Sequence, residues 1–305
     1  SEVEFVFQHF IAPSVRATAV SALSKDESSG IHEMELEEAY VAFTDLTTTL
    51  FPTAPFGKGI GLTVGKKLLP IGRLNALHSE QWNFVDMPLV SQQFFGSEHN
   101  LGGEGGYFTY LLPLPFFSQI ELGYWTPTAE EEEEEEEHSE IEYENRIFNG
   151  RIWNGFDISE TQSVDLGFSY VLGNASESSS DDQQLVTGFD AMFTQELNKN
   201  QSIRLHAEYY EAKYAEDGED RESQTGGFIS AFYEINSFYD AGVRYGTLSS
   251  HGDEGDDITQ WSLIANRQLT EASKLRLQYS TGENIDDTIY LQFIFGMGPH
   301  SHVLQ

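Results

Sequence analysis

Four side chains in one long connecting segment have the donor atoms of a metal site. His78, Glu80, Asp86 and His99 would supply two imidazole nitrogens and two carboxylate oxygens. Nitrogen and oxygen donors in this combination suit zinc or another divalent ion. Spacing along a loop does not define a coordination geometry, so solvated or hydrogen-bonded side chains are the alternative interpretation. The segment therefore predicts a candidate metal site without a fixed ligand set.

Two further stretches have the composition to gather cations. Glu130–Glu137 is an unbroken run of glutamates followed by His138. Such a run repels itself and is usually a solvated loop, with weak and unselective cation binding as the functional alternative. His300 and His302 form an H-x-H pair that would either chelate a metal or belong to a frayed tail. Zinc and calcium are the candidate ions for these sites, and the composition requires no cofactor.

Charge and missing motifs narrow the class of protein. The chain has 305 residues, no cysteine, and 50 acidic against 16 basic residues, for a net charge of −34. This excess of negative charge excludes a nucleic-acid-binding protein, because phosphates are neutralised by Lys and Arg. Without cysteine there are no disulfides or thiolate metal sites. The sequence contains no G-x-S-x-G, H-E-x-x-H or P-loop motif, so we predict that the protein is not an enzyme.

Alternation of apolar and polar residues predicts that β-strands position these groups. Ile203 and Leu205 fall on one face of such a strand, and Arg204 and Glu208 fall on the other, as the two-residue period of a strand requires. No run of about 18 apolar residues predicts a membrane-spanning helix. We predict fifteen strands, at residues 2–10, 14–24, 31–44, 59–67, 105–112, 117–126, 145–157, 162–173, 185–196, 201–214, 225–235, 237–249, 258–269, 273–282 and 287–297.

The connections between the predicted strands are of two alternating kinds. Short ones, such as Asn198–Gln201 and Ile235–Ser237, alternate with longer ones rich in Asp, Glu, Ser and Gly, such as Thr128–Glu144 and Asn174–Gln184. Outer-membrane barrels have short periplasmic turns and long outer loops. A soluble β-sandwich would show the same alternation along each strand without sorting its loops. The pattern favours an all-β, antiparallel transmembrane barrel over a sandwich.

Residues 68–104 form the longest connection between predicted strands. Trp82, Phe94 and Phe95 within it indicate burial rather than disorder, and a connection of this length in a folded domain is often functional. Inside a hollow barrel it would fold into the lumen and narrow the channel; a latch over a neighbouring subunit or over the rim is the alternative. The predicted constriction residues are His78, Glu80, Trp82, Asp86, Phe94, Phe95 and His99.

Four segments carry a resemblance to a known group of proteins. They are E-L-E-E-A-Y-V at Glu35–Val41, V-G-K-K-L-L-P-I-G-R-L-N at Val64–Asn75, H-S-E-Q-W-N-F-V-D-M-P-L-V at His78–Val90, and T-I-Y-L-Q-F-I-F-G-M at Thr288–Met297. Over residues 33–125 and the last strand, the chain resembles poorly characterised outer-membrane proteins of the porin type. Their outer loops are acidic and often rich in histidine, and they are sometimes described as zinc-associated. The resemblance implies an outer-membrane barrel and metal handling.

The combined expectation is a porin of the bacterial outer membrane that passes small solutes or ions by diffusion. Its acidic outer loops predict a preference for cations. Its expected surroundings are outer-membrane lipid and lipopolysaccharide, and it could form a homo-oligomer. The alternatives are a metal-capturing or substrate-specific binding barrel and a non-conducting structural or partner-scaffolding barrel. The predicted pore-lining residues are Arg16, Glu35, Glu37, Asp165, Arg204, Glu208, Arg244 and Arg276, and each assignment depends on regular alternation without a β-bulge.

The strand count predicts the ends of the barrel. Residues 1–297 would form one transmembrane barrel, and 298–305 a periplasmic tail. Single-chain bacterial barrels have an even number of strands, so fifteen predicted strands imply about sixteen in the complete barrel, with the first one preceding Ser1.

Overall fold

Fifteen antiparallel strands form one continuous sheet in the described part of the computed structural model, each strand pairing with its neighbours in the sequence. The structure describes residues 2–25, 32–51, 53, 59–96, 100–127, 143, 145–174, 183–214, 222–250 and 256–297. The strands are β1 (Val3–Ala12), β2 (Val15–Lys25), β3 (His32–Phe43), β4 (Ile60–Leu68), β5 (Gly102–Leu111), β6 (Phe117–Pro127), β7 (Ile147–Ser159), β8 (Gln162–Asn174), β9 (Gln183–Asn198), β10 (Gln201–Tyr214), β11 (Glu222–Asn236), β12 (Tyr239–Leu248), β13 (Ile258–Thr270), β14 (Ser273–Glu283) and β15 (Thr288–Phe295).

The prediction of fifteen strands is confirmed, and most boundaries fall within two residues of the expected ones. β5 begins three residues earlier than predicted, at Gly102. Tight turns connect several of the pairs because polar side chains satisfy the turn backbone. In the turn between β11 and β12, the Asn236 side-chain oxygen accepts hydrogen bonds from the backbone N–H groups of Phe238 and Tyr239, at 2.9 and 3.1 Å.

The sheet exposes its apolar face and buries its polar face, which is the reverse of a water-soluble protein. On the outer face, Leu291 and Phe293 are 73% and 60% exposed. On the inner face, Arg276 and Gln278 are fully buried. A sheet in water would hide its apolar face and expose its polar one, whereas a membrane barrel is apolar outside and polar inside. The burial therefore supports the barrel over the β-sandwich.

A single loop shows that the sheet curves around a lumen. The connection between β4 and β5, residues 69–101, contacts the inner face of strands far apart in the sheet. It reaches β8 through Ser169, β10 through Glu208, β12 through Arg244 and β14 through Gln278. His78 contacts β3, and Val85, only seven residues later, contacts β14; in a flat sheet with about 4.8 Å between neighbouring strands, seven residues would be too short to connect these two strands. The long loop therefore lies in the lumen.

Three short helical segments accompany the strands in the described residues. α1 (Leu46–Leu50) follows β3 and begins at Asp45, whose carboxylate accepts a 2.8 Å hydrogen bond from the Thr48 backbone N–H. A 3-10 turn at Ser79–Gln81 and α2 (Leu89–Phe95) belong to the lumen loop. No helix in the described ranges is both long enough and apolar enough to cross a membrane.

β3 departs from regular alternation at a β-bulge. Val20 of β2 pairs with Glu38, but the next residue, Ser21, pairs with Leu36, which leaves Glu37 as the extra residue of β3. A bulge of this kind lets two successive side chains point to the same side of a sheet. Glu37 and Glu38 both face the lumen loop as a result.

Within the described residues, β1 and β15 each pair with one neighbour and form the two edges of the sheet. The sixteenth strand expected before Ser1 stays a prediction. Residues 298–305, expected to form a periplasmic tail, lie outside the described residues.

Candidate functional site

The first anchor of the lumen loop is at Gly72 and Arg73. The Gly72 backbone N–H donates to Ser169 Oγ at 3.1 Å, and the Arg73 N–H donates to Glu208 Oε1 at 2.8 Å. The Arg73 guanidinium lies 3.4 Å from the Asp165 carboxylate. Backbone donors in the loop therefore meet side-chain acceptors on β8 and β10, which fixes the loop to the wall without an ordinary strand pairing.

The second anchor lies farther along the sheet, where Asp86 meets β12 and β14. The Arg244 guanidinium donates to the Asp86 carboxylate at 2.6 Å and to its backbone oxygen at 2.8 Å. Gln278 donates to the same carboxylate at 2.6 Å and accepts a 2.7 Å hydrogen bond from the Val85 N–H. Arg276 donates to the Trp82 backbone oxygen at 2.9 Å. These charge-assisted bonds hold the middle of the loop against the wall.

An apolar core joins α2 to the wall between the two anchors. α2 packs against β10, β11 and β12, and its Phe95 ring meets the Tyr210 ring edge-on at 5.0 Å between centroids. Trp125 is fully buried and donates to Asn149 Oδ1 at 2.7 Å. The core comprises Leu69, Ile71, Leu89, Val90, Phe94, Phe95, Trp125, Tyr143, Ile147, Val171, Val186, Tyr210, Ala212, Phe228 and Leu248.

Near β1 and β3, His78 of the loop meets a cluster of carboxylates. Its Nδ1 lies 3.4 Å from Glu37 Oε2, and its Nε2 lies 3.4 Å from Glu38 Oε2. Glu4 of β1 offers a third group, since ligand atoms of Glu4, Glu37 and His78 all lie within 4.8 Å of one another. Glu80 is within hydrogen-bonding reach of Glu4.

The charge state of His78 follows from these neighbours. Burial by itself would lower the pKa of His78, but the contacts with Glu37 and Glu38 outweigh burial and raise the pKa to about 10. In the absence of another cation, His78 is therefore an imidazolium at neutral pH.

A second ionic network lines the wall from β7 to β10. Arg151 donates two hydrogen bonds to the Asp190 carboxylate, at 2.9 and 3.1 Å. Glu208 lies 2.9 Å from His206 Nε2 and accepts a 2.6 Å hydrogen bond from the Tyr210 hydroxyl. The carboxylates of Asp190 and Glu208 are both buried. Their hydrogen-bond partners offset the cost of removing a charge from water.

The predicted pore-lining residues divide into two groups. Glu208, Arg244 and Arg276 are buried beneath the loop, so they do not line open water as expected from the sequence. The expectation overlooked that the loop would use the polar wall as its own binding surface. Charged side chains that face inward and keep part of their exposure are Arg16, Glu35, Asp165 and Arg204.

The prediction for β3 is corrected by its bulge. Glu37 lies at the bulge and contacts His78, while Glu35 pairs with Lys66 at 3.4 Å closer to the rim. Regular alternation from Glu35 and Glu37 would have turned Glu38 outward, yet Glu38 is buried against the loop. Its Oε1 lies 3.1 Å from both Lys67 Nζ and the Leu68 N–H.

The predicted metal set His78, Glu80, Asp86 and His99 is not brought together as a unit. Asp86 is bound by Arg244 and Gln278, whereas His78 contacts β3. Phe94 and Phe95 are buried in the apolar core, and Trp82 donates to the Leu77 backbone oxygen at 3.0 Å. The calls on His99, Glu130–Glu137, His138, His300 and His302 lie outside the described residues.

Sequence reasoning missed several residues of the site. Arg151, Asp190 and His206 occupy inward positions of strands whose alternation was already visible, so the period-two pattern could have found them. Glu4 and Glu38 gave no such signal. The first depends on how β1 packs against the loop, and the second on a bulge that sequence does not mark.

The fold defined by these strands and this loop is that of outer-membrane porins. The outer-membrane channel DcaP of Acinetobacter baumannii is 12% identical with a TM-score of 0.56, covering 96% of this chain and 82% of DcaP. An anion-selective porin from Comamonas acidovorans is 10% identical with a TM-score of 0.58, covering 96% and 84%. OmpF of Salmonella typhi, solved with daunomycin, is 11% identical with a TM-score of 0.55, covering 92% and 81%.

Comparison with curated sequences adds one distant relative. An uncharacterized protein from Aquifex aeolicus is 22% identical over 308 aligned positions, which cover 87% of this chain. The chain spans 62% of the length of that relative. No family model matches the sequence.

Proposed function

We propose that the protein is an outer-membrane channel for the diffusion of small hydrophilic solutes or ions, with a preference for cations. The observation that carries this proposal is a charged inner wall, partly accessible beside the lumen loop, within a sheet whose outer face is apolar. The side chains of Glu234, Arg204 and Asp165 are 43%, 32% and 29% exposed. Hydrated solutes pass most easily along such polar walls.

The preference for cations is supported by the pairing of the inner basic residues. Arg244 is neutralised by Asp86 at 2.6 Å, Arg151 by Asp190 at 2.9 Å, and Arg204 by Glu234 at 3.1 Å. Paired charges attract passing anions less than free ones. The chain as a whole carries a net charge of −34, and such a field concentrates cations at a channel mouth.

A reversal-potential measurement in planar bilayers tests the proposal. Under a KCl gradient centred near 0.1 M, we expect potassium to permeate faster than chloride. The ratio should fall toward unity near 1 M salt, because the screening length shrinks from about 10 Å to about 3 Å. Deleting Glu130–Glu137 should lower the ratio at low salt by removing eight charges.

A length-matched control separates charge from loop shape. Replacing Glu130–Glu137 by an equally long Ser-Gly segment should lower the ratio as much as the deletion does. Anion preference at low salt would overturn the cation proposal and assign selectivity to the partly exposed Arg16 and Arg204 instead.

A non-conducting barrel is the second candidate, favoured by the apolar core on one side of the lumen. Phe94 and Val90 of α2 are fully buried against strands of the wall, so this part of the lumen is packed like a protein interior. If this plug extends across the lumen, purified protein will insert into bilayers without conducting. Unitary conductance steps in the same experiment would reject this candidate.

A further inference from the structure

We propose that Glu4, Glu37 and His78 bind a divalent transition-metal ion, for which zinc is the test case, and so connect β1, β3 and the lumen loop. Their ligand atoms lie within 4.8 Å of one another. Ligands of tetrahedral zinc, with bonds of about 2.1 Å, lie about 3.4 Å apart. Rotation of the Glu4 and Glu37 side chains would bring the ligand atoms from up to 4.8 Å to about 3.4 Å apart. Water would complete the coordination.

The β-bulge at Glu37 is the backbone feature that builds the site. It adds one residue to β3 between the positions paired with Val20 and Ser21. Regular pairing would place only one of two successive glutamates on the lumen side. The bulge turns Glu37 and Glu38 toward the same histidine, as bulges near functional sites commonly re-aim side chains.

Two buried atoms in the cluster make no hydrogen bond of good geometry and meet their neighbours only at 3.4 Å. They are Glu37 Oε2 and His78 Nε2. Buried polar atoms are normally hydrogen-bonded. Glu37 Oε2 faces Nδ1 of the imidazole at 3.4 Å, which places a metal between the glutamate oxygen and that nitrogen.

Glu38 is arranged as the group that orients the histidine. Its Oε2 lies 3.4 Å from His78 Nε2, on the opposite side of the ring from Glu37. Its other oxygen is held by Lys67 and the Leu68 N–H, each at 3.1 Å. Metal-bound histidines usually donate their second ring N–H to a carboxylate in this way. The His78 backbone is held as well, since its N–H donates to Gln81 Oε1 at 3.2 Å.

The excess of acidic groups in the cluster also favours the binding of a cation. Glu4, Glu37 and Glu38 lie around His78, Glu80 lies against Glu4, and Lys67 contacts Glu38. Even with a protonated His78, acidic groups outnumber basic ones. The imidazole nitrogen favours zinc and similar ions over calcium, which prefers ligand sets made entirely of oxygen.

Zinc binding by the full chain, purified in detergent and cleared of metal with a chelator, tests the proposal. Equilibrium dialysis should show one specific zinc per chain. Glu37→Gln and His78→Gln should each weaken binding by about 100-fold or more, and Glu38→Gln by about 10–100-fold, as expected for a group that orients a ligand. The zinc absorption edge should show one imidazole ligand that disappears in His78→Gln.

Two matched variants control for charge and histidine content. Glu35→Gln removes the same charge from the same strand, and His9→Gln removes an exposed histidine of β1. Both should bind zinc like the original chain, and millimolar calcium should not displace it. Folding of each variant is checked by its heat-dependent gel mobility; if His78→Gln does not fold, Glu4→Gln provides the second ligand test.

Three results would overturn the proposal. The first is no specific zinc in the original chain, which would leave the cluster as an imidazolium held by carboxylates. The second is unchanged affinity in Glu37→Gln together with His78→Gln or Glu4→Gln. The third is an equal loss in the Glu35→Gln control, which would indicate unselective binding by acidic residues. None of these results depends on whether the barrel conducts.

Discussion

The sequence predicted Glu208 as a pore-lining residue, but in the structure its carboxylate anchors the lumen loop to the wall. Its two oxygens contact the Arg73 N–H, His206 Nε2 and the Tyr210 hydroxyl at 2.6–2.9 Å. A buried carboxylate is tolerated only when donors replace its lost hydration. Since one donor is loop backbone, Glu208 connects the loop to β10 and is unavailable to passing ions.

Replacing Gly72 by alanine should release this anchor. Gly72 has a left-handed φ of +53°, and a Cβ there would overlap the Tyr210 hydroxyl and lie 2.7 Å from Glu208 Oε2. Strain of this kind costs about 1–3 kcal/mol. We expect a lower unfolding midpoint in detergent and noisier single-channel currents, because the first part of the loop detaches.

Gly246→Ala is the matched control for Gly72→Ala. Its nearest neighbours would be 3.8 Å away from an added Cβ, and its φ is not left-handed. The unfolding midpoint should stay close to that of the original chain. Equal destabilisation by the two substitutions would contradict a specific role for the Gly72 anchor.

The bulge in β3 is an example of an element whose irregularity creates the site. Before the bulge Glu35 shares the side of Ala22, and after it Glu38 shares the side of Val20. Because of the extra residue, the lumen-facing positions of β3 are odd-numbered before the bulge and even-numbered after it. A one-residue change in strand register inverts every later side chain, which is why the position of the bulge matters more than the composition of the strand.

Deleting Glu37 should leave a folded barrel, because the deletion removes the extra residue and no paired one. Leu36 would still pair with Ser21 and Glu38 with Val20. We expect a normal yield of the heat-modifiable folded form and an unfolding midpoint near that of the original chain.

Deletion of Ala39 provides the contrast. Tyr40 would take an outward position, or the remaining pairing would shift, since Ala39 is paired with Ala19. The folded yield should drop clearly. If deletion of Glu37 lowered the folded yield as much as deletion of Ala39, Glu37 would not be a dispensable residue of this strand.

The molecule as a whole is a sheet that needs lipid on one side and a loop on the other. Its outer face exposes large apolar side chains such as Leu263, Phe293 and Trp261. Its inner polar face is satisfied largely by the loop through Ser169, Glu208 and Arg244. Hydrocarbon covers the first surface, and pairing between neighbouring strands satisfies the backbone groups in the bilayer except at the two edges of the described sheet, β1 and β15.

Leu263→Arg tests the lipid-facing assignment. Leu263 is the sixth residue of the thirteen in β13 and is 56% exposed, so it lies near the middle of the span. Arginine at the middle of the bilayer should destabilise a barrel by about 2–4 kcal/mol. The measurement is reversible unfolding in lipid vesicles.

Leu263→Phe, which keeps the surface apolar, should change the stability in vesicles little. In a water-soluble sandwich, arginine at such an exposed position would be tolerated. An unchanged stability for Leu263→Arg would therefore contradict the membrane assignment of this face.

The strands and their order follow from local patterns in the sequence. Alternation in segments such as Ile203–Tyr210 predicted fifteen strands close to their observed bounds, because side chains on a strand alternate between two environments. The sorting of short and acidic connections predicted the barrel class. Trp82, Phe94 and Phe95 also predicted burial of the long loop, since such residues gain from leaving water.

Only the tertiary structure decided which polar groups meet. Asp86 and Arg244 are 158 residues apart in the sequence and form a direct ion pair, and no local pattern specifies that contact. The bulge at Glu37 reversed the parity of β3, so Glu38 faces the loop although regular alternation from Glu35 would turn it outward. His78 was a recognisable candidate ligand from its side chain alone, but its neighbours Glu4 and Glu37 come from two strands far from it in the sequence. Alternation sets the face of a residue, whereas the curvature of the sheet around the loop sets its partners.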